Sequence, residues 1–188
     1  MDFSIIIIVI SVLWVASEIS LARMKRAGAA DQQLDQSTLR ILWITIFISV
    51  NSGVFLGLQH VGHFGGGSAI PPIAGVALII AGLAVRWYAI LSLRHQFTVD
   101  VAITKDHHLV KEGIYRSIRH PSYAGSLLSF LGLGLCFSSY LSIVVVFVPI
   151  CCAFLYRMRI EERALAGAFG DEYSQYRAST KRLIPGIF

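Results

Sequence analysis

Hydrophobic residues along the chain gather into five long runs separated by polar segments. The runs cover about Phe3–Leu21, Leu39–Gln59, Pro72–Leu93, Pro121–Phe137 and Leu141–Tyr156. A helix needs about 20 apolar residues to cross a hydrocarbon core about 30 Å thick, so the first three runs have the length of membrane spans. The last two runs are shorter, and Ser138, Ser139 and Tyr140 between them predict a tight turn. We therefore expect five transmembrane helices, of which the fourth and fifth form a helical hairpin.

Composition supports placing this helical fold in a membrane. Of the 188 residues, 55% are hydrophobic and only 14% are charged, whereas soluble domains carry about 25% charged residues. The sequence predicts an all-α polytopic membrane protein with a single domain over residues 1–188. The first run follows an acidic Asp2 and continues too far for an ordinary secretion signal, so we expect a retained helix.

Basic residues mark one side of the membrane. All 16 Lys and Arg residues lie in 23–40, 86–119 and 157–182, and the His60–Ile70 loop has no Lys, Arg, Asp or Glu. Loops rich in Lys and Arg remain in the cytosol, and five spans place all three basic segments there. The sequence thus predicts an external N-terminus and a cytosolic C-terminus. The net charge of +5 then has a topological explanation, and we expect no nucleic-acid partner.

The cysteines and histidines predict neither a disulfide framework nor a metal centre. Cys136, Cys151 and Cys152 lie in apolar stretches, where free cysteines pack as small hydrophobic residues. The predicted bilayer separates His60 and His63 from the other four histidines. No histidine spacing resembles a known set of metal ligands, so we expect no metal.

The densest polar segment on the predicted cytosolic side is His107–Tyr123. Gly113 allows a turn within this segment, and Pro121 suits the first turn of a following helix because no backbone donor is lost there. Four polar side chains then surround a helix N-terminus: Arg119, His120, Ser122 and Tyr123. Backbone N–H groups at such a terminus can hold an anion. A basic and aromatic belt at the membrane interface is the alternative interpretation, although it does not account for the whole segment.

A second group of charged residues follows the fifth predicted span. Arg157 and Glu161 are four residues apart, so they share a helix face at the cytosolic boundary of the membrane. An arginine oriented by a glutamate can grip an anionic group there, because guanidinium binds a carboxylate at two points. A surface ion pair is the alternative. Helical periodicity then continues with an interruption at Gly170, which predicts two cytosolic helices ending before Pro185.

Three further polar residues lie inside the apolar runs. Glu18 and Arg86 are functional candidates because ionisable residues are unfavourable in lipid, although both lie close enough to the cytosolic side to reach water. Asn51 is a weaker candidate that could form a hydrogen bond between helices.

Taken together, these motifs resemble the isoprenylcysteine carboxyl methyltransferase family. The H-x-L-V, G-x-Y and R-H-P-x-Y elements of its signature are similar to His107–Val110, Gly113 with Tyr115, and Arg119–Tyr123. Its C-terminal pattern is matched by Arg157, Glu161, Glu162, Phe169, Gly170, Tyr173, Tyr176 and Pro185. The resemblance covers roughly Leu93–Pro185. It predicts a catalytic core with a cofactor pocket over residues 93–188, whereas residues 1–70 match the family only weakly.

The resemblance implies an integral membrane enzyme that uses S-adenosylmethionine, held in a cytosolic pocket beneath the C-terminal helices. It implies cofactor contacts from His107, His108, Leu109, Val110, Tyr115, His120, Pro121, Ser122 and Tyr123. It places Arg157 and Glu161 at the acceptor end as the catalytic pair. One departure concerns Asp100, which stands where eukaryotic members often have glutamine.

The resemblance also implies a short, prokaryotic-type member in the cell inner membrane, acting on a lipophilic small molecule or a lipidated substrate. An isoprenylcysteine-like carboxylate, a phospholipid amine and a small thiol all fit as acceptors. A carboxylate needs no general base, whereas an amine or thiol must first lose a proton, which Glu161 could accept. The competing class is a non-enzymatic membrane transporter or assembly factor.

Overall fold

The part of the fold that the structure describes is helical apart from one small pair of strands. The computed structural model describes Trp14 and residues 32–35, 37–93, 101–103 and 109–188. These residues form four long helices, α1 (Ser37–Leu58), α2 (Ile70–Leu93), α3 (Pro121–Cys136) and α4 (Tyr140–Ser179). A short 3-10 helix (Gly113–Arg116) precedes α3, and two strands, β1 (Gln32–Asp35) and β2 (Val101–Ile103), pair antiparallel. The sequence pattern predicted the helices but not the strand pair.

Within the described residues, three helices are long and apolar enough to cross a membrane, namely α1, α2 and α4. Helix α3 is apolar too, but its 16 residues are fewer than the about 20 that a perpendicular span needs. The second to fifth predicted runs coincide with α1, α2, α3 and the first, apolar part of α4. The first predicted run lies outside the described residues except for Trp14, whose ring centroid is 4.7 Å from that of Phe130 in α3. The count of five spans therefore stays a prediction.

Helices α2 and α3 approach each other closely because their glycines face one another. Gly82 lies against Gly125, and Gly75 lies against Gly132, so a side chain at any of the four would meet the opposite backbone. A Cβ atom on Gly125, for example, would lie 2.5 Å from the carbonyl oxygen of Gly82. In lipid, where apolar burial does not drive helix association, such close packing is a main source of attraction.

Replacing Gly82 with valine should force α2 and α3 apart. Overpacking of this kind costs about 1–3 kcal/mol, so we expect a lower thermal unfolding temperature in detergent. Gly167→Ala is the matched control, since nothing lies within 4 Å of a Cβ atom at Gly167 and alanine is the better helix former. Equal unfolding temperatures for the two variants would contradict this account of the helix pair.

The loop after α1 and the turn between α3 and α4 close one end of the bundle. The Phe64 amide donates to the Ser138 carbonyl at 2.8 Å, and the Ser139 hydroxyl donates to the Val61 carbonyl at 2.6 Å. The Ser139 hydroxyl also caps α4 by accepting from the Ser142 amide at 3.1 Å. The predicted turn between the last two apolar helices is therefore present. It lies at the same end as the uncharged loop, and we call this the uncharged end.

The opposite end, which we call the charged end, joins the segment entering α3 to the chain that follows α4. Ile118 and Lys181 form an isolated parallel bridge. The Arg119 amide donates to the Lys181 carbonyl at 2.8 Å, and the His120 amide donates to the Arg182 carbonyl at 3.1 Å. The C-terminal segment thus lies directly against the R-H-P-x-Y motif.

Helix α4 connects its apolar part to the charged end without a break at Tyr156. It runs from Tyr140 to Ser179 with one kink at Gly170, where φ is 50° and ψ is −120°. This left-handed backbone region favours glycine, which has no Cβ atom to clash. The interruption predicted at Gly170 is therefore confirmed, whereas the fifth apolar run and the first cytosolic helix are one continuous helix.

Candidate functional site

Glu162 is a buried carboxylate held by side-chain nitrogen atoms of three residues at the charged end. Its Oε1 atom accepts from Arg119 Nε at 3.1 Å and from Arg182 Nε at 3.1 Å. His120 Nε2 lies 3.3 Å from the same oxygen, and Arg182 Nη2 binds Oε2. Only 5% of the residue is exposed. A buried charge is tolerated when it is paired and hydrogen-bonded in this way.

These contacts keep the Glu162 carboxyl group ionised. Burial alone would raise its pKa, but hydrogen bonds from His120, Arg182 and Arg119 outweigh burial and lower the pKa well below its usual range. The same carboxylate raises the pKa of Arg182 through its hydrogen bond. Glu162 is therefore a fixed negative charge that neutralises the surrounding basic residues.

Arg119 also binds the C-terminal end of α4. Its Nη1 atom donates to the carbonyl oxygens of Thr180 at 2.6 Å and of Arg177 at 3.2 Å. Carbonyls in the last turn of a helix have no partner within the helix, so an arginine at this place satisfies them. Arg119 thus joins the entry of α3, the carboxylate of Glu162 and the end of α4.

Arg157 and Glu161 are connected through the hydroxyl group of Tyr123. Arg157 Nε donates to the Tyr123 oxygen at 3.2 Å, and the Tyr123 hydroxyl donates to Glu161 Oε2 at 3.0 Å. Arg157 Nη1 also donates to Thr38 Oγ1 in α1 at 2.9 Å. The sequence spacing predicted that Arg157 and Glu161 share a face, and the fold inserts a tyrosine from α3 between them. We call these three residues the Arg157–Tyr123–Glu161 chain.

The two adjacent glutamates face different surroundings. Successive residues of a helix point about 100° apart, so the two carboxylates cannot occupy the same place. The Glu162 side chain is 6% exposed, whereas the Glu161 side chain is 32% exposed. The buried His120 ring lies between the two, with Nδ1 3.8 Å from Glu161 Oε2. Glu162 is therefore part of the folded core, and Glu161 is accessible to a bound molecule.

Tyr115 and the start of α3 lie at the same charged end. The Tyr115 hydroxyl donates to the Ala89 carbonyl at 3.3 Å, and the Tyr115 carbonyl accepts from the Tyr176 hydroxyl at 2.7 Å. Burial raises the pKa of Tyr115, so its hydroxyl stays protonated. Pro121 is the first residue of α3, as predicted, and is buried together with Ser122.

The remaining candidates from the sequence are only partly located. Leu109 and Val110 are half-buried in the segment before the 3-10 helix. His107 and His108 lie outside the described residues, as do Asp100 and Glu18.

Two polar residues of the apolar helices form hydrogen bonds that the sequence alone does not predict. Arg86 Nη1 donates to Ser126 Oγ at 2.8 Å, which links α2 to the first turns of α3. Asn51 Nδ2 donates to the Phe47 carbonyl of its own helix at 2.7 Å. The expected interhelical bond of Asn51 is therefore replaced by a bond within α1.

Sequence reasoning missed the structural roles of Thr38, Glu162 and Arg182. Glu162 belongs to the matched C-terminal pattern. Two adjacent carboxylates, Glu161 and Glu162, also indicate that at least one of them needs a basic partner to balance its negative charge. No local sequence pattern indicates the roles of Thr38 and Arg182, because Thr38 lies 119 residues from its partner Arg157 and Arg182 lies 20 residues from its partner Glu162.

Comparison with known proteins supports the resemblance to the isoprenylcysteine carboxyl methyltransferase family. The family model for isoprenylcysteine carboxyl methyltransferases matches residues 75–167, which include α3, Arg157 and both glutamates. The match to this family covers just under half of the chain. The resemblance inferred from the motifs is thereby confirmed, and the matched region also reaches back into α2.

Two relatives and one solved structure show how far the family likeness extends. The protein-S-isoprenylcysteine O-methyltransferase of Schizosaccharomyces pombe is 33% identical over 116 residues, which are 61% of this chain and 49% of that protein. Protein-S-isoprenylcysteine O-methyltransferase B of Arabidopsis thaliana is 32% identical over 115 residues, which are 60% of this chain and 58% of that protein. The chain thus spans about half the length of the curated relatives it matches.

The solved structure is that of the eukaryotic intramembrane Ras methyltransferase ICMT without a monobody. It superposes with a TM-score of 0.59 at 27% sequence identity, over 81% of this chain and 54% of that one. The similarity therefore extends beyond the motif region to most of the chain. With its long apolar helices, this chain is an integral membrane protein.

Proposed function

We propose that this protein is a methyltransferase that moves a methyl group from S-adenosylmethionine to a lipophilic acceptor in the membrane. The observation that carries the proposal is the Arg157–Tyr123–Glu161 chain, which joins a buried arginine to a partly exposed carboxylate where α4 leaves its apolar part. The relatives named above are O-methyltransferases of isoprenylcysteine, and each of them matches about 60% of this chain. An isoprenylcysteine-like carboxylate is accordingly the acceptor that we favour.

The residues present suit the proposed cofactor. S-adenosylmethionine would supply a methyl group that its positively charged sulfonium already activates. The Glu161 carboxylate is 32% exposed and carries the charge opposite to that of the sulfonium. Leu109 and Val110 offer half-buried apolar surface for a flat base, and Tyr115 and Tyr123 lie at the same end. These side chains would hold the cofactor together with His107 and His108.

Arg157 would hold the acceptor. Arg157 is 2% exposed, and Tyr123 and Thr38 hold its guanidinium group, so the orientation of that group is set before any acceptor arrives. A carboxylate acceptor carries the matching charge and can bind a planar guanidinium at two points. Alignment of reacting groups then lowers the barrier, because the entropy of positioning is lost on binding rather than in the reaction. No general base is required for a carboxylate.

The surroundings of Arg157 favour an acceptor with an apolar tail. Arg157 follows directly on the apolar part of α4, and its partner Thr38 begins the apolar part of α1. Large apolar side chains on the exposed surface of α1, such as Ile44, Phe47 and Phe55, are suited to contact lipid. An acceptor anchored in the bilayer would bring its head group to the depth of Arg157 without leaving the membrane.

Calorimetry in detergent tests this proposal at its first step. We expect the protein to bind S-adenosylhomocysteine, the demethylated product, at one site per chain. Glu161→Gln should still bind this uncharged thioether but should lose more affinity for S-adenosylmethionine, whose sulfonium the carboxylate would face. Glu172→Gln is the matched control, because Glu172 is exposed and pairs with Lys111 away from Tyr123. Folded protein that binds neither compound would rule out the enzyme.

A further inference from the structure

The chain after Arg182 exposes several large apolar side chains close together. Ile184 is 50% exposed, Ile187 is 76% exposed and Phe188 is 46% exposed. Single exposed apolar residues are common on protein surfaces, but three within five positions form a patch. We call residues 183–188 the apolar turn. A patch of this kind marks a surface that contacts a membrane or a partner.

The apolar turn is folded, so its side chains have fixed places. The amides of Leu183 and Ile184 donate to the Phe188 carbonyl at 2.6 Å and 2.7 Å, and the Phe188 amide donates to the Ile184 carbonyl at 3.1 Å. Gly186 has a φ of 77°, which glycine adopts without strain. The Arg182 guanidinium lies 5.5 Å above the centre of the Phe188 ring. Little conformational entropy is therefore lost when this surface binds.

The apolar turn begins near the boundary of the membrane-spanning helices. The Arg182 carbonyl accepts from the His120 amide at 3.1 Å, and the apolar helix α3 begins at the next residue, Pro121. Tyr123 bonds Arg157, with which the apolar part of α4 ends. The three residues from His120 to Tyr123 rise by about 5 Å, and the headgroup layer on each side of a bilayer is about 5–8 Å deep. The turn therefore starts at the depth of the headgroups.

Basic side chains without acidic neighbours accompany the apolar turn. Residues 174–188 contain Arg177, Lys181 and Arg182 but no Asp or Glu. Arg182 binds Glu162, whereas the exposed side chains of Arg177 and Lys181 form no ion pair among the described residues. A free basic residue near an anionic membrane surface raises the affinity for that surface about fivefold. Apolar side chains beside basic ones thus match the interface of a bilayer that contains anionic lipid.

We propose that the apolar turn inserts Ile184, Ile187 and Phe188 into the headgroup layer, with Lys181 against anionic lipid. A second copy of the chain fits this patch less well. Three half-exposed side chains supply on the order of 300 Å², whereas a specific protein interface needs about 800 Å² from each partner. A bilayer surface has no such minimum. The contact goes beyond the proposed function and gives the segment that carries Arg182 a second support from the membrane side.

Quenching by brominated lipid tests the position of the apolar turn. A fluorophore is attached to Ile187→Cys in nanodiscs that hold one chain each, in a background with Cys151→Ala and Cys152→Ala to remove the accessible thiols. A label at Ile44→Cys, on the exposed apolar surface of α1, is the positive control. A label at Gly167→Cys, where nothing lies within 4 Å of a Cβ atom, is the control for water. We expect the Ile187 label to be quenched at least about a third as strongly as the positive control, and the water control to be unaffected.

A second measurement tests the charge. In mixed bilayers of phosphatidylcholine and phosphatidylglycerol, bromine is placed on one lipid or the other. The anionic lipid should quench the Ile187 label at least about twofold more than the neutral lipid does, and Lys181→Gln should remove this excess. Lys111→Gln is the matched control and should retain it, because Lys111 is an exposed lysine already paired with Glu172.

The contrary results are equally clear. If the Ile187 label is no more quenched than the Gly167 label, the apolar turn faces water or another protein surface, and the inference is wrong. If both lipids quench equally, or if the excess survives Lys181→Gln, the contact between Lys181 and anionic lipid is refuted. Neither measurement involves methyl transfer, so its outcome is independent of the proposed function.

Discussion

Replacing Arg157 with lysine should lower the rate of methyl transfer at least about 100-fold and change the affinity for S-adenosylhomocysteine by no more than about threefold. Arg157 holds Tyr123 with Nε and Thr38 with Nη1, so its planar group has a fixed orientation. Lysine keeps the positive charge but carries a single ammonium group on a flexible side chain. It therefore cannot donate to Tyr123 and to Thr38 in the two directions that the guanidinium group provides. The rate of methyl transfer is measured with labelled cofactor, and the affinity for S-adenosylhomocysteine is measured by calorimetry.

Two further variants make the Arg157 result interpretable. Arg157→Ala should abolish turnover and still bind the cofactor product if the protein remains folded. Arg159→Ala is the matched control, since Arg159 is an exposed arginine on the same helix two residues away. If cofactor binding and turnover fall equally in Arg157→Lys, our assignment of Arg157 to the acceptor is wrong.

Removing the Glu162 carboxylate should have the largest effect on stability. Glu162→Ala leaves Arg119 and Arg182 without their shared buried partner, and breaking a buried ion pair in this way costs about 3–5 kcal/mol. The Glu162 network also joins α4 to the segment entering α3 and to the chain after α4. We expect the variant to unfold at a much lower temperature in detergent or to fail to accumulate as folded protein.

The pH dependence of the same network has a definite sign. Because the pKa of Glu162 is lowered in the folded protein, its contribution to stability is present above the unfolded value near 4.5 and is lost as the pH falls toward the folded value. The difference in unfolding free energy between wild-type protein and Glu162→Gln should therefore shrink between about pH 6 and about pH 3.

Glu172→Gln provides the control for this pH series. The ion pair between Glu172 and Lys111 is exposed on both sides, with a distance of 2.8 Å, so it should contribute only about 0–1 kcal/mol at any pH. A wild-type advantage over Glu162→Gln that stays constant down to about pH 3 would show that the Glu162 charge does not stabilise the fold.

Hydropathy predicted most of the helical architecture because membrane helices are long and continuously apolar. The runs 39–59 and 121–137 correspond to α1 (Ser37–Leu58) and α3 (Pro121–Cys136) within two residues at each end. The turn at Ser138–Tyr140 was predictable because polar residues interrupt an otherwise apolar stretch. The kink at Gly170 was predictable because a glycine interrupts the helical pattern. Local sequence determines each of these features.

The site was harder to predict because its contacts join residues far apart in the chain. Local spacing correctly placed Arg157 and Glu161 on one face, but Tyr123 lies 34 residues before Arg157, and only the packing of α3 against α4 brings its hydroxyl between them. The assignment of Glu161 to the accessible position and Glu162 to the buried one likewise depends on how α4 is rotated against α3. No local pattern specifies that rotation.

The strand pair was missed for a different reason. β1 and β2 contain four and three residues, which is too short for an alternating pattern to stand out. Their pairing nevertheless agrees with the prediction that the basic segments lie on one side of the membrane. The strands belong to two of these segments, and the pairing brings the two segments together. Which side of the membrane that end faces stays a prediction.

The most direct test of the proposed function is methyl transfer by purified protein in lipid nanodiscs. The protein would be given S-adenosylmethionine labelled in its methyl group and synthetic farnesylcysteine as acceptor, with Arg157→Lys in parallel. We predict label in the acceptor that mild base releases as methanol, as a methyl ester requires, and at least about 100-fold less label with the variant. Absence of transfer to farnesylcysteine and to a membrane extract, by protein that is folded, would contradict the proposal.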